Sequence, residues 1–223
     1  MERTIKVTGK GKISVKPDTI RLYITQEDTL KEYESAIMES ADKKGNLNGI
    51  LQRLGFEKTD LKTLYFNIDT VYESYQAKDH SWKRRFVGYK YTHRMKLEFM
   101  SDNELLGRVL FAIAHCPGKP EFSIEYTTSD PEAAKNELLA KAIEDSKSKA
   151  AVLSKAAGVE LGVIQTIDYS WGEIDFVTRP MNEMMLRECC AAPMADESDS
   201  YKFDIEADDI DITDTVTVVW EIK

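Results

Sequence analysis

Cysteine is scarce: Cys116, Cys189 and Cys190 are the three in a chain of 223 residues. An odd count without regular spacing does not make a disulfide framework, and reduced thiols are the simpler expectation. The adjacent pair Cys189–Cys190 could close only a strained ring, so no stable bridge between them is expected. Histidine is equally scarce, at His80, His93 and His115. Neither H-E-x-x-H nor C-x-x-C occurs, and His115 and Cys116 are too close in sequence to chelate one ion unaided, so no metal is expected. The nucleophile elbow G-x-S-x-G is also missing. With no catalytic motif, neither enzymatic activity nor a cofactor is expected. No apolar run approaches the ~20 residues of a membrane span. The opening "MERTIKVTG" lacks the apolar centre of a leader. A cytoplasmic place is expected for the chain as given, or the envelope or periplasm if a leader was removed.

Positive charge is in deficit too. Net charge is −9, and the stretch from Asp196 to Asp214 holds nine acids against one base, Lys202. That segment carries −8 and leaves −1 for the remainder. A general nucleic-acid binder needs a basic face to neutralise phosphates, so none is expected. What the chain does have is an ordinary globular composition, 42% hydrophobic and 31% charged, enough for a real core.

The "VTGKGKISVKPD" stretch from Val7 to Asp18 raises the question of a phosphate-binding loop. Such a loop needs wider glycine spacing and a helix starting at its Lys-Ser/Thr end. Here alternation continues through Ile13 and Val15, so Gly9 and Gly11 are expected to bend or bulge a strand. A second strand follows Pro17 at 20–25. Thr29 and Glu32 read as a capping box for a helix whose apolar stripe is Leu30, Tyr33, Ile37, Leu47, Leu51 and Leu54. A strand is expected over 61–72, a polar hairpin tip over 73–85, and a long strand over 87–99. In the last, Val87, Tyr89, Tyr91, His93, Met95, Leu97 and Phe99 form one face. Ser101 and Glu104 suggest a second box, with a helix ending at "CPG", 116–118. After a strand near 122–126, Asp130 caps and Pro131 opens a long helix that stops at Gly158. Its stripe is largely small in the C-terminal half, which permits close approach of a sheet or helix. Strands at 161–171 and 210–222 complete an α+β pattern: mixed, largely antiparallel sheets with helices packed on one face, in two intertwined subdomains. Residues 1–85 with 160–223 are expected to form one subdomain and 86–159 the other. The acidic, Met/Cys-bearing stretch 172–209 is read as a variable insertion.

"IKVTGKGKISVKPDTIRLYI", "DLKTLYFNI", "GYKYTHRMKLEF", "AIEDSKSKAAVLSKAAGVELGVIQTI" and "ADDIDITDTVTVVWEI", in that order, resemble the SIMPL-domain family, a domain of unknown function numbered 541. The match omits 172–205, and Asp208 and Asp209 stand where members often carry Pro-Gly. The resemblance implies two intertwined α+β subdomains. It also implies a loose link of bacterial, often envelope, members to oxidative stress, and of animal relatives to kinase signalling. The family supplies no catalytic residues to carry over.

Two groups of residues stand out. Tyr75, Trp82, Phe86 and Tyr89 cluster with Tyr72 around one hairpin, and aromatics favour interface centres. They point to a homo-oligomer built through sheet edges or helix flanks. The segment from Arg179 to Ser200 holds four of the eight methionines and two of the three cysteines. Met181, Met184, Met185, Cys189, Cys190 and Met194 could oxidise or bind a soft metal. The functional expectation is therefore a non-enzymatic interaction or assembly protein, with a redox-responsive or soft-metal role as the alternative. His93, alone on an apolar strand face, is expected to be a hydrogen-bonded core or edge residue rather than a ligand.

Overall fold

The computed structural model describes residues 3–78, 80–169, 174–179 and 206–223. Its elements in chain order are β1 (Thr4–Val15), β2 (Thr19–Leu30), α1 (Tyr33–Arg53), β3 (Lys62–Gln76), β4 (Trp82–Met100), α2 (Asn103–Ala114), β5 (Glu121–Thr127), α3 (Pro131–Ala157), β6 (Leu161–Tyr169), β7 (Val177–Thr178) and β8 (Ile210–Ile222). The three helices and two antiparallel sheets make an α+β fold, as the alternating patterns foretold.

The described residues fall into two units. One comprises those within Met1–Asp18, Thr127–Thr178 and Ala207–Lys223; the other, those within Thr19–Tyr126 and Arg179–Glu206. This differs from the expected division, which kept residues 19–85 with 1–18. β1 and β2 are separated only by "KPD" and look like two arms of one hairpin. Instead β1 pairs with β8 from Thr4↔Glu221 to Val15↔Ile210, while β2 pairs with β4 from Thr19↔Met100 to Leu30↔Tyr89. The chain changes sheets at Pro17, which cannot donate to a ladder.

The first unit is a three-stranded sheet, β1-β8-β6, under α3. β1 is one strand of 12 residues with unbroken register, so Gly9 and Gly11 neither bend nor bulge it. They serve close approach. A Cβ on Gly9 would lie 2.0 Å from the Ala142 carbonyl oxygen, and one on Gly11 would lie 2.2 Å from that of Leu138. The helix returns small residues: Ala134, Leu138, Ala142, Ser146, Ala150 and Ser154 are buried. Val7, Val216, Val218 and Trp220 close over Ala142 and Ala150, and Ile13, Phe176, Ile210 and Ile212 over Ala134 and Leu138. α3 begins as expected, with Asp130 accepting from the Ala133 N–H at 2.9 Å and Pro131 opening the first turn. It ends at Gly158 in the left-handed region, φ 68°.

α3 also covers the outer edge of β1. The Lys10 N–H donates to Asp145 Oδ2 at 2.7 Å, and Lys149 Nζ donates to the Thr8 carbonyl at 3.5 Å. Exposed strand edges invite pairing with another chain, and these side chains occupy two of the edge's free backbone groups.

The second sheet has five strands in the order β3-β4-β2-β5-β7, and in the second unit α1 packs on β2 and β4, with α2 beside α1. Ile20, Leu22, Ile24, Met95, Leu97, Leu47 and Leu51 form its buried centre. Neither capping box forms as read. β2 runs on through Thr29 to Leu30, and Glu32 takes the first cap without a side-chain bond. Asp102, not Ser101, caps α2, accepting from the Glu104 and Leu105 N–H groups at 2.8 and 3.0 Å.

A projecting aromatic arm and a buried histidine bridge

β3 and β4 remain paired from Lys62↔Lys96 out to Gln76↔Trp82. β2 accompanies β4 only as far as Tyr89. Beyond it, residues 70–88 continue as a two-stranded arm, so the region read as a polar tip is mostly strand and the turn proper is residues 77–81. β3 is exposed or half-exposed along its whole length, and among the described residues its outer edge pairs with no strand.

A register shift decides what the arm displays. Val71 pairs with Gly88 but Tyr72 with Phe86, leaving Val87 as the extra residue of a β-bulge. Simple alternation placed Val87 with Tyr89. The bulge instead brings Phe86 onto that face, 5.2 Å from Tyr89 between ring centroids. Tyr72 meets Phe86 at 5.7 Å, Tyr33 meets Tyr89 at 5.4 Å, and the Arg84 guanidinium lies 4.9 Å over Tyr72. All three ring pairs are edge-to-face, the arrangement that ring quadrupoles favour. Phe86 and Tyr89 thus belong to one ladder. Trp82, 72% exposed, opens β4 at the outer end of the arm on the parity of Arg84 and Phe86. Tyr75 pairs with Lys83, between Ser74↔Arg84 and Gln76↔Trp82, and so looks to the opposite face.

Tyr33 and Ile37 extend this surface onto α1 and are 53% and 42% exposed. Sequence reading put both in the buried stripe. The helix in fact turns Ala36, Ser40, Leu47, Asn48 and Leu51 inward. The polar members of that inward face were the missed signal.

Ser40 is inward because it meets His93. This side chain is 6% exposed, in keeping with a core histidine. Its Nδ1 is 3.1 Å from Ser40 Oγ on α1, and its Nε2 is 2.9 Å from Thr63 Oγ1 on β3. Lys44 Nζ donates to the same Thr63 oxygen at 3.0 Å, and Phe66 meets the ring edge-on at 5.2 Å. Burial, and secondarily Lys44, hold the His93 pKa below its ordinary value. Ser40 beside an imidazole has the outline of a nucleophile and its base. But Ser40 is 2% exposed, and the far ring nitrogen meets a hydroxyl rather than an orienting carboxylate. The geometry bridges three elements and offers no opening to a substrate carbonyl.

Elsewhere in the first unit a groove of about 510 Å³ follows the edge of β1, lined by Lys6, Val7, Thr8, Ser148, Lys149, Val152 and Leu153. Among the described residues no three His, Cys, Asp or Glu side chains are grouped to hold a metal ion. Met181, Met184, Met185, Cys189, Cys190 and Met194 lie outside the described residues. No helix among the described residues is long and apolar enough to cross a membrane.

Residues 5–220 match the SIMPL family, described as a protein of unknown function (DUF541). The chain belongs to this family. It is also similar to the "26 kDa periplasmic immunogenic protein" of Brucella melitensis and to its counterpart in Brucella abortus. Each is 23% identical over 219 residues, covering 98% of this chain and 84% of the relative.

Proposed function

We propose that this SIMPL-family chain is a non-enzymatic assembly protein whose copies join through the β3–β4 arm. The observation that carries the reading is the aromatic ladder Tyr33–Tyr89–Phe86–Tyr72, which leads to an exposed Trp82 on a ribbon that, among the described residues, is two strands alone. Contiguous exposed apolar surface of this kind marks interaction sites, and Trp, Tyr and Arg dominate their energetics. The outer edge of β3 supports the same reading, because among the described residues it pairs with no strand, whereas side chains of α3 occupy the edge of β1. The relatives' periplasmic designation supports the envelope as the place of work. There an assembling scaffold could serve the stress link that the family resemblance implies.

Light scattering across a hundredfold range of concentration tests the proposal. A particle several times the chain mass is expected, reduced to monomer by Trp82→Ala with Phe86→Ala while circular dichroism is unchanged. A monomer throughout, or an oligomer indifferent to both substitutions, refutes the arm as the joint.

A further inference from the structure

The His93 bridge contains the parts of a two-position device. With Lys44 donating to Thr63 Oγ1, the Thr63 hydroxyl proton is free to go to His93 Nε2. In that tautomer Nδ1 carries the ring proton and donates to Ser40 Oγ. A second proton must enter at Nε2, facing a hydroxyl that already receives a proton from the Lys44 ammonium. On the adjacent strand, Gln26 sits directly opposite His93 in the β2–β4 register. Opposed residues share a sheet face with Cβ atoms about 5 Å apart. Gln26 is 2% exposed, and among the described residues neither its Oε1 nor its Nε2 has a hydrogen-bond partner. Buried side-chain amides rarely go unsatisfied.

Among the described residues, the remaining surroundings give a protonated ring no counter-charge. From α1, Ser40 and Lys44 face it, and the next cation along, Lys43, is engaged by Asp28 and Glu39. From β2 come Gln26 and, two residues on, Asp28, already bonded to Lys43. From β3 come Thr63 and Phe66, and from β4 itself the flanking Tyr91 and Met95.

We propose that His93 is a proton-operated latch: neutral, it ties Thr63 of β3 to Ser40 of α1; protonated, it turns to the Gln26 amide oxygen and releases Thr63. What is released is the inner end of the strand that carries the aromatic arm. The latch does not depend on what the arm binds.

Histidine NMR titration of the intact chain, combined with hydrogen exchange corrected for intrinsic pH dependence, tests it. The His93 midpoint is expected below the ordinary imidazole range, with amide protection over 63–66 falling in step while β8 amides stay protected. Lys44→Met should move both events to higher pH, because a like charge is removed. Gln26→Leu should move both to lower pH, because the waiting acceptor is gone. If His93 titrates in the ordinary range, or if 63–66 stay protected through its titration, the latch is disproved. Unshifted midpoints in both variants also reject it, and Gln26→Leu leaves every contact of the neutral bridge in place.

Discussion

Replacing Gly9 with alanine should separate α3 from the sheet beneath it. The added Cβ would stand 2.0 Å from the Ala142 carbonyl oxygen, 2.5 Å from the Ser146 nitrogen and 2.8 Å from the Ser146 Cβ. Two of these obstacles are helix backbone, which no rotamer change can move. An ordinary van der Waals contact begins at 3.4 Å, so the helix must lift or tilt by more than 1 Å. A gap of ~1 Å already forfeits about half of the dispersion energy of each contact that it opens. The contacts in question hold Ala142 and Ala150 over Val7, Val216 and Val218. Overpacking typically costs 1–3 kcal/mol, and with backbone as the obstacle we expect about 3 kcal/mol. That corresponds to a fall of about 6–12 °C in Tm for a domain of this size. Gly45 and Gly49 supply the control. Both lie within α1, where an added Cβ meets nothing within 4 Å. Alanine there should stabilise by about 1 kcal/mol each through helix propensity. Urea titration followed by circular dichroism measures both effects, with Trp220 fluorescence reporting the core of the first unit separately. If Gly9→Ala unfolds at the same midpoint as the unaltered chain, close backbone contact is not what these glycines provide.

Gly11→Ala should behave like Gly9→Ala, while Lys10→Ala and Lys12→Ala should leave any nucleotide titration flat, because β1 presents no phosphate loop; saturable binding abolished by either lysine change would contradict this. Asp102→Ala removes two acceptor contacts at the start of α2 and should cost about 1 kcal/mol in urea denaturation. Leu97→Ala, at a fully buried site, should cost about 2–5 kcal/mol in the same assay. The Asp28 carboxyl is held below its ordinary value, chiefly by its bond from Lys43. Its contribution is therefore present above the ordinary aspartate range and lost as pH falls through the folded value. Lys43→Met should return the Asp28 titration upward, and carboxyl NMR reads that directly.

The two units differ in how far they could be read from sequence. α3 was legible at both ends because Asp130, Pro131 and Gly158 act on their own neighbours, within a turn. The alternation of β4 was legible from Tyr89 to Phe99 for the same local reason. The bulge at Val87 was not, since only the opposing residues Val71 and Tyr72 reveal it. The stripe of α1 misled because hydrophobicity selected Tyr33 and Ile37, while the buried face carries Asn48 and Ser40, the latter bonded to His93. The aromatic cluster was visible as composition, but its division into a ladder and a separate Tyr75 depends on register. The partners of β1 and β2 were out of reach, as neither strand carries a mark naming β8 or β4.

The pairing of β1 with β8 has a consequence for how the chain folds. The larger sheet draws four of its five strands from the unbroken stretch between Thr19 and Thr127, and the longest connections among those four are helices. The first unit must bring Val15 to Ile210 before a single rung of its central ladder exists. Closing a loop of that length costs entropy that no early contact returns, and pairings distant in sequence form slowly. The intervening chain shortens that search once it has condensed, because its own folding draws the two ends together. Synthesis from the N-terminus then leaves β1 waiting, its alternating valine and isoleucine face unpaired, until β8 emerges. During that wait the lysines at 6, 10 and 12, on the opposite face of the strand, are what keep the nascent segment from pairing with its neighbours.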